Sequence, residues 1–182
     1  MHTLEEIAER IATCRRCPLG MRRRNPVPGE GSADAALMLV GEAPGREEDS
    51  TGRPFVGRAG KLLDGVLRES GLRRDEVFIT SVIKCRPPGN RRPKKAELAS
   101  CLPYLTAQIE VLQPRVVLLL GGVAAGALLN VGRVGSARGT PVRAERIYLV
   151  TYHPAAVLRN INLMPQLRED IELAKKLAYS ET

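Results

Sequence analysis

The sequence predicts an α/β fold in which a parallel sheet is covered by helices on both faces. Four short apolar runs are the first observation behind it: Ala36 to Val40 (ALMLV), Val77 to Ile83 (VFITSVI), Val116 to Leu120 (VVLLL) and Ile147 to Tyr152 (IYLVTY). They lack the strict polar alternation of a strand with one wet face, so they read as strands buried on both sides. Segments of helical period lie between the runs, which calls for right-handed βαβ crossovers and a parallel sheet. Glycine- and proline-containing turns punctuate the alternation.

In chain order, the first element is a helix. Leu4, Ile7, Ala8 and Ile11 recur at helical spacing after Thr3, and Glu6 completes a capping box with Thr3; the helix should end near Cys14. Arg15 to Asp34 holds Pro18, Pro26 and Pro28 and reads as irregular, strongly basic surface chain. Leu62, Leu63, Val66 and Leu67 form one helical face ahead of Gly71. Leu98, Leu102, Leu105, Ile109 and Leu112 form another, with a bend expected at Pro103. Val123 to Leu129 and Leu167 to Leu177 supply two more helices. With 182 residues, 43% of them hydrophobic, and no repeat or dividing linker, the chain is expected to be one domain, 1–182.

In such sheets the functional site lies beyond the carboxyl ends of the strands. Those ends run into Gly41-Glu42-Ala43-Pro44-Gly45, Lys84-Cys85-Arg86-Pro87-Pro88, Gly121-Gly122 and His153-Pro154, so the unusual chemistry converges on one rim. Glu42 alone would be an ordinary loop carboxylate. His153 is one of only two histidines, and on the same rim its imidazole could donate to developing negative charge. The glycine-rich loop lacks the GK[ST] of a phosphate loop, and no acidic ribose partner follows it, so a nucleotide-binding enzyme ranks last.

Lys and Arg number 28 against 20 Asp and Glu, a formal charge of +8 that favours a polyanionic partner, nucleic acid ahead of an anionic membrane. No apolar run approaches the roughly eighteen residues of a membrane helix, and Met1 to Thr13 is not a signal peptide, so a cytoplasmic protein is expected. With no Trp and two Phe, only Phe55 and Phe78 could stack on bases. Four cysteines in such a chain favour metal ligation over disulfides. Cys14 and Cys17 form C-x2-C, and Cys85 and Cys101 lie far downstream, so only tertiary structure could gather the four. The lone C-x2-C knuckle puts an iron–sulfur cluster modestly ahead of zinc. Zinc stays open, as does a buried free thiol for Cys101.

Several blocks carry a further signal: Cys14-x2-Cys17, Val27 to Gly31 (VPGEG), Gly41 to Gly45 followed by Glu47-Glu48-Asp49, Thr51 to Gly57 (TGRPFVG), Lys84 to Pro88 with Asn90-Arg91, and His153-Pro154 followed by Leu158-Arg159-Asn160. In their order and spacing the chain resembles the iron–sulfur (family 4) uracil-DNA glycosylases along nearly its whole length. The resemblance implies a three-layer α/β/α sandwich with a central four-stranded parallel sheet, a [4Fe-4S] cluster on Cys14, Cys17, Cys85 and Cys101, and hydrolysis of the N-glycosidic bond of deoxyuridine flipped out of DNA. It further implies that Phe55 stacks on the flipped base, that His153 faces uracil O2, that Glu42 with Gly41 and Ala43 positions the water, and that Glu48 walls off C5 against the methyl of thymine. Asn90 would line the pocket, Leu158 with Arg159 would wedge the duplex, and Arg86 and Arg91 would hold phosphates.

One contrast with other families and one departure from the family pattern refine the expectation. Other glycosylase families carry Asp where this chain has Ala43, so preorganised electrostatics should outweigh general-base catalysis. The family usually has Asn at the end of the second strand, where this chain has Ser81, and a rotatable hydroxyl does not separate uracil from cytosine as an amide does. Weaker discrimination or lower activity is expected, with two alternatives: an iron–sulfur protein that binds damaged DNA without cutting it, and a glycosylase acting on hypoxanthine. The Arg86 to Lys95 loop holds no histidine, so turnover is expected rather than covalent trapping. The partner is uracil-containing DNA, single- or double-stranded, and the protein is expected to be a monomer; no residue pattern supports a sliding-clamp partner.

Overall fold

A computed structural model describes residues 3–180; His2 and the ends of the expected 1–182 domain lie outside the described residues. The capping box is present: the Thr3 hydroxyl accepts from Glu6 N and the Glu6 carboxylate from Thr3 N, starting α1 (Leu4–Ala12), which buries Ile7 and Ile11. The basic stretch after it departs from the expectation of wholly irregular chain. It contains the one-turn α2 (Leu19–Arg22) and a two-residue strand, β1 (Glu30–Gly31), both too short to leave a period in the sequence. There follow β2 (Leu37–Gly41), α3 (Arg46–Thr51), α4 (Arg58–Glu69), β3 (Phe78–Ser81), α5 (Lys95–Leu112), β4 (Val116–Leu120), α6 (Gly122–Leu129), α7 (Val134–Ala137), β5 (Val142–Arg143), β6 (Ile147–Thr151), α8 (Pro154–Arg159) and α9 (Met164–Tyr179). Helix α5 runs on through Pro103.

The sheet order is β1-β3-β2-β4-β6-β5. Its four inner strands are the four apolar runs, all parallel. They form the expected central four-stranded parallel sheet, and β1 and β5 extend it to six strands by adding antiparallel to β3 and β6 at the edges. Pairing with strands far along the chain defines these edge pieces. On one face Leu37, Leu39, Ile79 and Leu118 pack against Leu63 and Leu67 of α4 and Ile171 of α9. On the other, Met38, Val40, Val117 and Leu119 meet Leu105, Ile109 and Leu112 of α5 and Ala124 of α6. This alternation of strand residues between two buried faces builds the three layers.

The order also locates the crevice. From β2 the chain moves to β3 on one side and then crosses to β4 on the other, so the strand order reverses between β2 and β4 and leaves a cleft beyond their carboxyl ends. Gly41 is in register with Ser81, and Leu120 with Thr151, which brings the strand-end loops to one level.

Candidate active site and cysteine cavity

A cavity of about 450 Å³ opens at that rim, lined by Glu42, Ala43, Gly45, Glu48, Phe55, Ser81, Asn90, Arg91, His153 and Arg159. Three expected site residues lie outside its lining. Gly41 sits beneath it, Arg86 is half-buried beside it, and Leu158 is exposed on α8.

His153 is the N-cap of α8, and its Nδ1 accepts from Ala155 N at 3.0 Å. That bond fixes the neutral tautomer with the proton on Nε2, leaving Nε2–H as the free donor. Burial, aided by the positive charge of Arg159 and opposed by Glu48, pushes the His153 pKa down to about 4, so the ring is neutral near pH 7. Gly121, at φ +95°, leaves it room: a Cβ there would stand 3.0 Å from the His153 Cβ.

The Phe55 ring lies 5.5 Å from the His153 ring, tilted 30°. It rests on Gly41, where a Cβ would come within 2.4 Å of the ring, so Gly41 contributes the space that Phe55 occupies. The Phe55 backbone is left-handed at φ 49°, a conformation a bulky residue adopts only when its surroundings impose it. Phe78, the other stacking candidate, is buried in the core.

Glu42 is partly buried. Desolvation raises its pKa above the ordinary carboxylate value, with Arg92 and Arg159 pulling the other way. Glu48 lines the cavity, but its carboxylate holds backbone: Oε2 accepts from Gly45 N at 3.0 Å, and Oε1 from Val56 N and Gly57 N at 2.9 Å each. It thereby ties the start of α3 to the loop that carries Phe55. The three-residue Gly45–Glu48 spacing of a capping box is the part of this role that the sequence shows.

Ser81 is buried at the end of β3 and faces the cavity. Behind it lies a network that sequence reasoning missed. The fully buried Lys84 side chain donates to Ser81 O at 2.7 Å, Thr80 Oγ1 at 2.6 Å and Gln108 Oε1 at 2.6 Å, while Thr80 Oγ1 and Gln108 Nε2 both donate to Pro28 O. Burial lowers the Lys84 pKa to about 7, against the raising influence of Cys101 and Cys85. Asn90, left-handed at φ 56°, has its Oδ1 held by Arg86 Nε at 2.7 Å. Arg91 forks onto Glu97 at 2.6 and 2.9 Å, which offsets much of the charge it could offer a phosphate. Exposed Arg15, Arg16, Arg22, Arg24, Arg92 and Arg159 leave a basic surface.

All four cysteines line one small cavity between α1 and α5, together with Arg23, Lys84 and Tyr104. None forms a disulfide. Arg23 Nη1 donates to Cys85 Sγ at 3.1 Å and Lys84 N to Cys101 Sγ at 3.3 Å. Burial raises the Cys85 pKa and brings that of Cys101 to about 11. Among the described residues, no three His, Cys, Asp or Glu side chains are gathered closely enough to hold a single ion.

A doubly covered parallel sheet with a polar cavity at its switch point is a scaffold for binding and transforming a small planar group, and comparison with known families gives it a place. The uracil DNA glycosylase superfamily model matches residues 28–174, and the chain belongs to that superfamily. Within it, the chain is similar to type-4 uracil-DNA glycosylases. That of Thermotoga maritima is 45% identical, with 100% of both chains covered. That of Pyrobaculum aerophilum is 46% identical over 93% of this chain and 92% of its own. A type-5 uracil-DNA glycosylase of Pyrobaculum aerophilum is 32% identical over 87% of this chain and 84% of its own.

Proposed function

We propose that this chain is a base-excision repair enzyme that hydrolyses the N-glycosidic bond of deoxyuridine in DNA, releasing uracil and leaving an abasic site. The observation that carries the reading is the convergence of Glu42, Phe55, Ser81 and a neutral, tautomer-fixed His153 on one cavity. As the bond breaks, its electrons pass to the base and charge builds on uracil O2. The His153 Nε2–H donates to that oxygen without first having to lose a proton. Glu42 faces the sugar, offsets its oxocarbenium charge and holds the water that adds to it. Phe55 stacks on the flipped base, while Leu158 and Arg159 fill the gap left in the duplex. The exposed arginines supply the phosphate contacts, and the protein acts as a cytoplasmic monomer.

The cysteine cavity suits a [4Fe-4S] cluster better than zinc. Its donor set is all sulfur, and it holds a single C-x2-C knuckle where zinc sites often carry two. Cys14, Cys17, Cys85 and Cys101 would hold it, and when bound it would cross-link α1, the loop after β3 and α5, and add a one-electron redox centre. The whole chain, 1–182, is read as one domain.

Single-turnover cleavage of oligonucleotides carrying uracil opposite G, uracil opposite A, uracil in single strand or hypoxanthine tests the reading. Uracil release that falls by orders of magnitude in His153→Ala and Phe55→Ala supports it. Tight binding with no release from any substrate would make the protein a damage binder instead.

A further inference from the structure

We propose that Arg74, which lies outside the cavity, is the positioning residue that holds Phe55 in its stacking conformation. The inference rests on reading Phe55 as the residue that stacks on the flipped base.

The left-handed backbone of Phe55 is unfavourable for an aromatic residue, so something must hold it. The conformation at a Cα is set by the orientation of the two rigid peptide planes that flank it. Arg74 grips both planes. Its Nη1 donates to Phe55 O at 3.0 Å, fixing the plane that follows, and its Nη2 donates to Pro54 O, fixing the plane that precedes. Rotating either peptide toward a relaxed conformation would break one of these bonds.

The guanidinium is itself oriented. Asp64 of α4 accepts from Nη1 at 2.8 Å, and Glu30 of β1 accepts from Nε at 2.8 Å while also taking a fork from Arg53 at 2.9 and 3.0 Å. The side chain of Arg74 is only 20% exposed. One planar fork spanning two consecutive carbonyls and two carboxylates is a task that the compact ammonium of lysine does not match. From the far side, Glu48 takes the next two backbone amides, and Gly60 packs so close that a Cβ would fall 1.8 Å from Phe55 O. The loop is therefore clamped on both sides, with Arg74 acting on the residue that carries the ring.

A double-mutant cycle separates this role from general stabilisation. Uracil release under single turnover and affinity for undamaged duplex are measured for the wild type, Arg74→Gln, Arg74→Lys, Phe55→Ala and Arg74→Gln/Phe55→Ala, at a temperature where circular dichroism shows each one folded. Arg74→Gln is expected to slow release about tenfold or more, as loss of charge-assisted hydrogen bonds implies, with little rescue by Lys and undamaged-DNA affinity changed less than about twofold. In the Phe55→Ala background the same change should cost less than about twofold, because a residue acting only through Phe55 has nothing left to position. An equal loss in both backgrounds overturns the proposal, as does unimpaired Arg74→Gln beside an impaired Phe55→Ala. Unimpaired Phe55→Ala defeats the stacking reading and this inference with it. Should Arg74→Gln not fold, Asp64→Asn, which loosens the guanidinium without removing it, takes its place in the cycle with the same expectations.

Discussion

Replacing Ser81 by Asn tests how this pocket tells one base from another. Ser81 is buried at the carboxyl end of β3, in register with Gly41, and faces a cavity of about 450 Å³, so a longer side chain extends into open space rather than into the core. Its backbone carbonyl is anchored by Lys84 at 2.7 Å, which keeps the strand end in place when the side chain changes. A hydroxyl offers the uracil edge one bond at a time and rotates to suit either a donor or an acceptor. An amide offers a fixed donor and a fixed acceptor together, matched to O4 and N3–H.

The second hydrogen bond contributes about 1 to 1.5 kcal/mol, so Ser81→Asn should raise the rate of uracil release roughly tenfold. Cytosine reverses both polarities at that edge. Two mismatched contacts of about 1 to 2 kcal/mol each should sharpen discrimination by roughly 30- to 1,000-fold. The assay is single-turnover release from matched oligonucleotides carrying uracil or cytosine at one position. If Ser81→Asn leaves both the uracil rate and the cytosine background unchanged, the residue at this position does not read the base, and the argument from the hydroxyl is wrong.

Four further outcomes follow from the site and the cysteine cavity. With the His153 pKa held near 4 by burial, the rate of uracil release should show no histidine inflection near pH 6.5; its acid-side decline should begin with Glu42, whose carboxyl takes up a proton above its ordinary range, and continue as pH approaches 4. Because the unfolded chain takes up that proton first as pH falls, His153 should cost the fold up to roughly 3 kcal/mol between about pH 6.5 and 4, a loss absent from His153→Gln in denaturant titrations at each pH. Glu48→Gln leaves one acceptor oxygen where two now serve three amides, so about 1 to 3 kcal/mol of stability and part of the rate should go; an unchanged melting curve with full activity would show that the clamp is idle. Cys85→Ser should lose bound iron and its visible absorbance and lower the melting temperature. Loss of iron with stability and DNA affinity intact would contradict a structural cluster.

What the sequence reveals depends on how far away the partner of each residue lies. The four inner strands are legible because burial on both faces writes itself into consecutive residues, and Val116–Leu120 matches its predicted run end to end. β1 and β5 are not, since each is two residues long and becomes a strand only by pairing with β3 or β6. Glu42 and His153 could be gathered in advance because one rule, that sites form beyond parallel strand ends, applies to loops visible in the chain, whereas Phe55, Ser81 and Asn90 are gathered with them only by the resemblance carried in the ordered sequence blocks.

The residues that hold those five in place follow no such rule. Lys84 depends on Gln108 and Arg74 on Glu30, contacts between segments that no local pattern links. Glu48 falls between the two cases: its bond to Gly45 has a readable helix-start spacing, while its bonds to Val56 and Gly57 exist only once α3 has turned the chain back on itself. Groups that would meet the substrate are therefore exposed to inference by position or by sequence motif. Groups that set their geometry are buried, polar and non-local, and it is among these that substitutions should alter activity without touching the base.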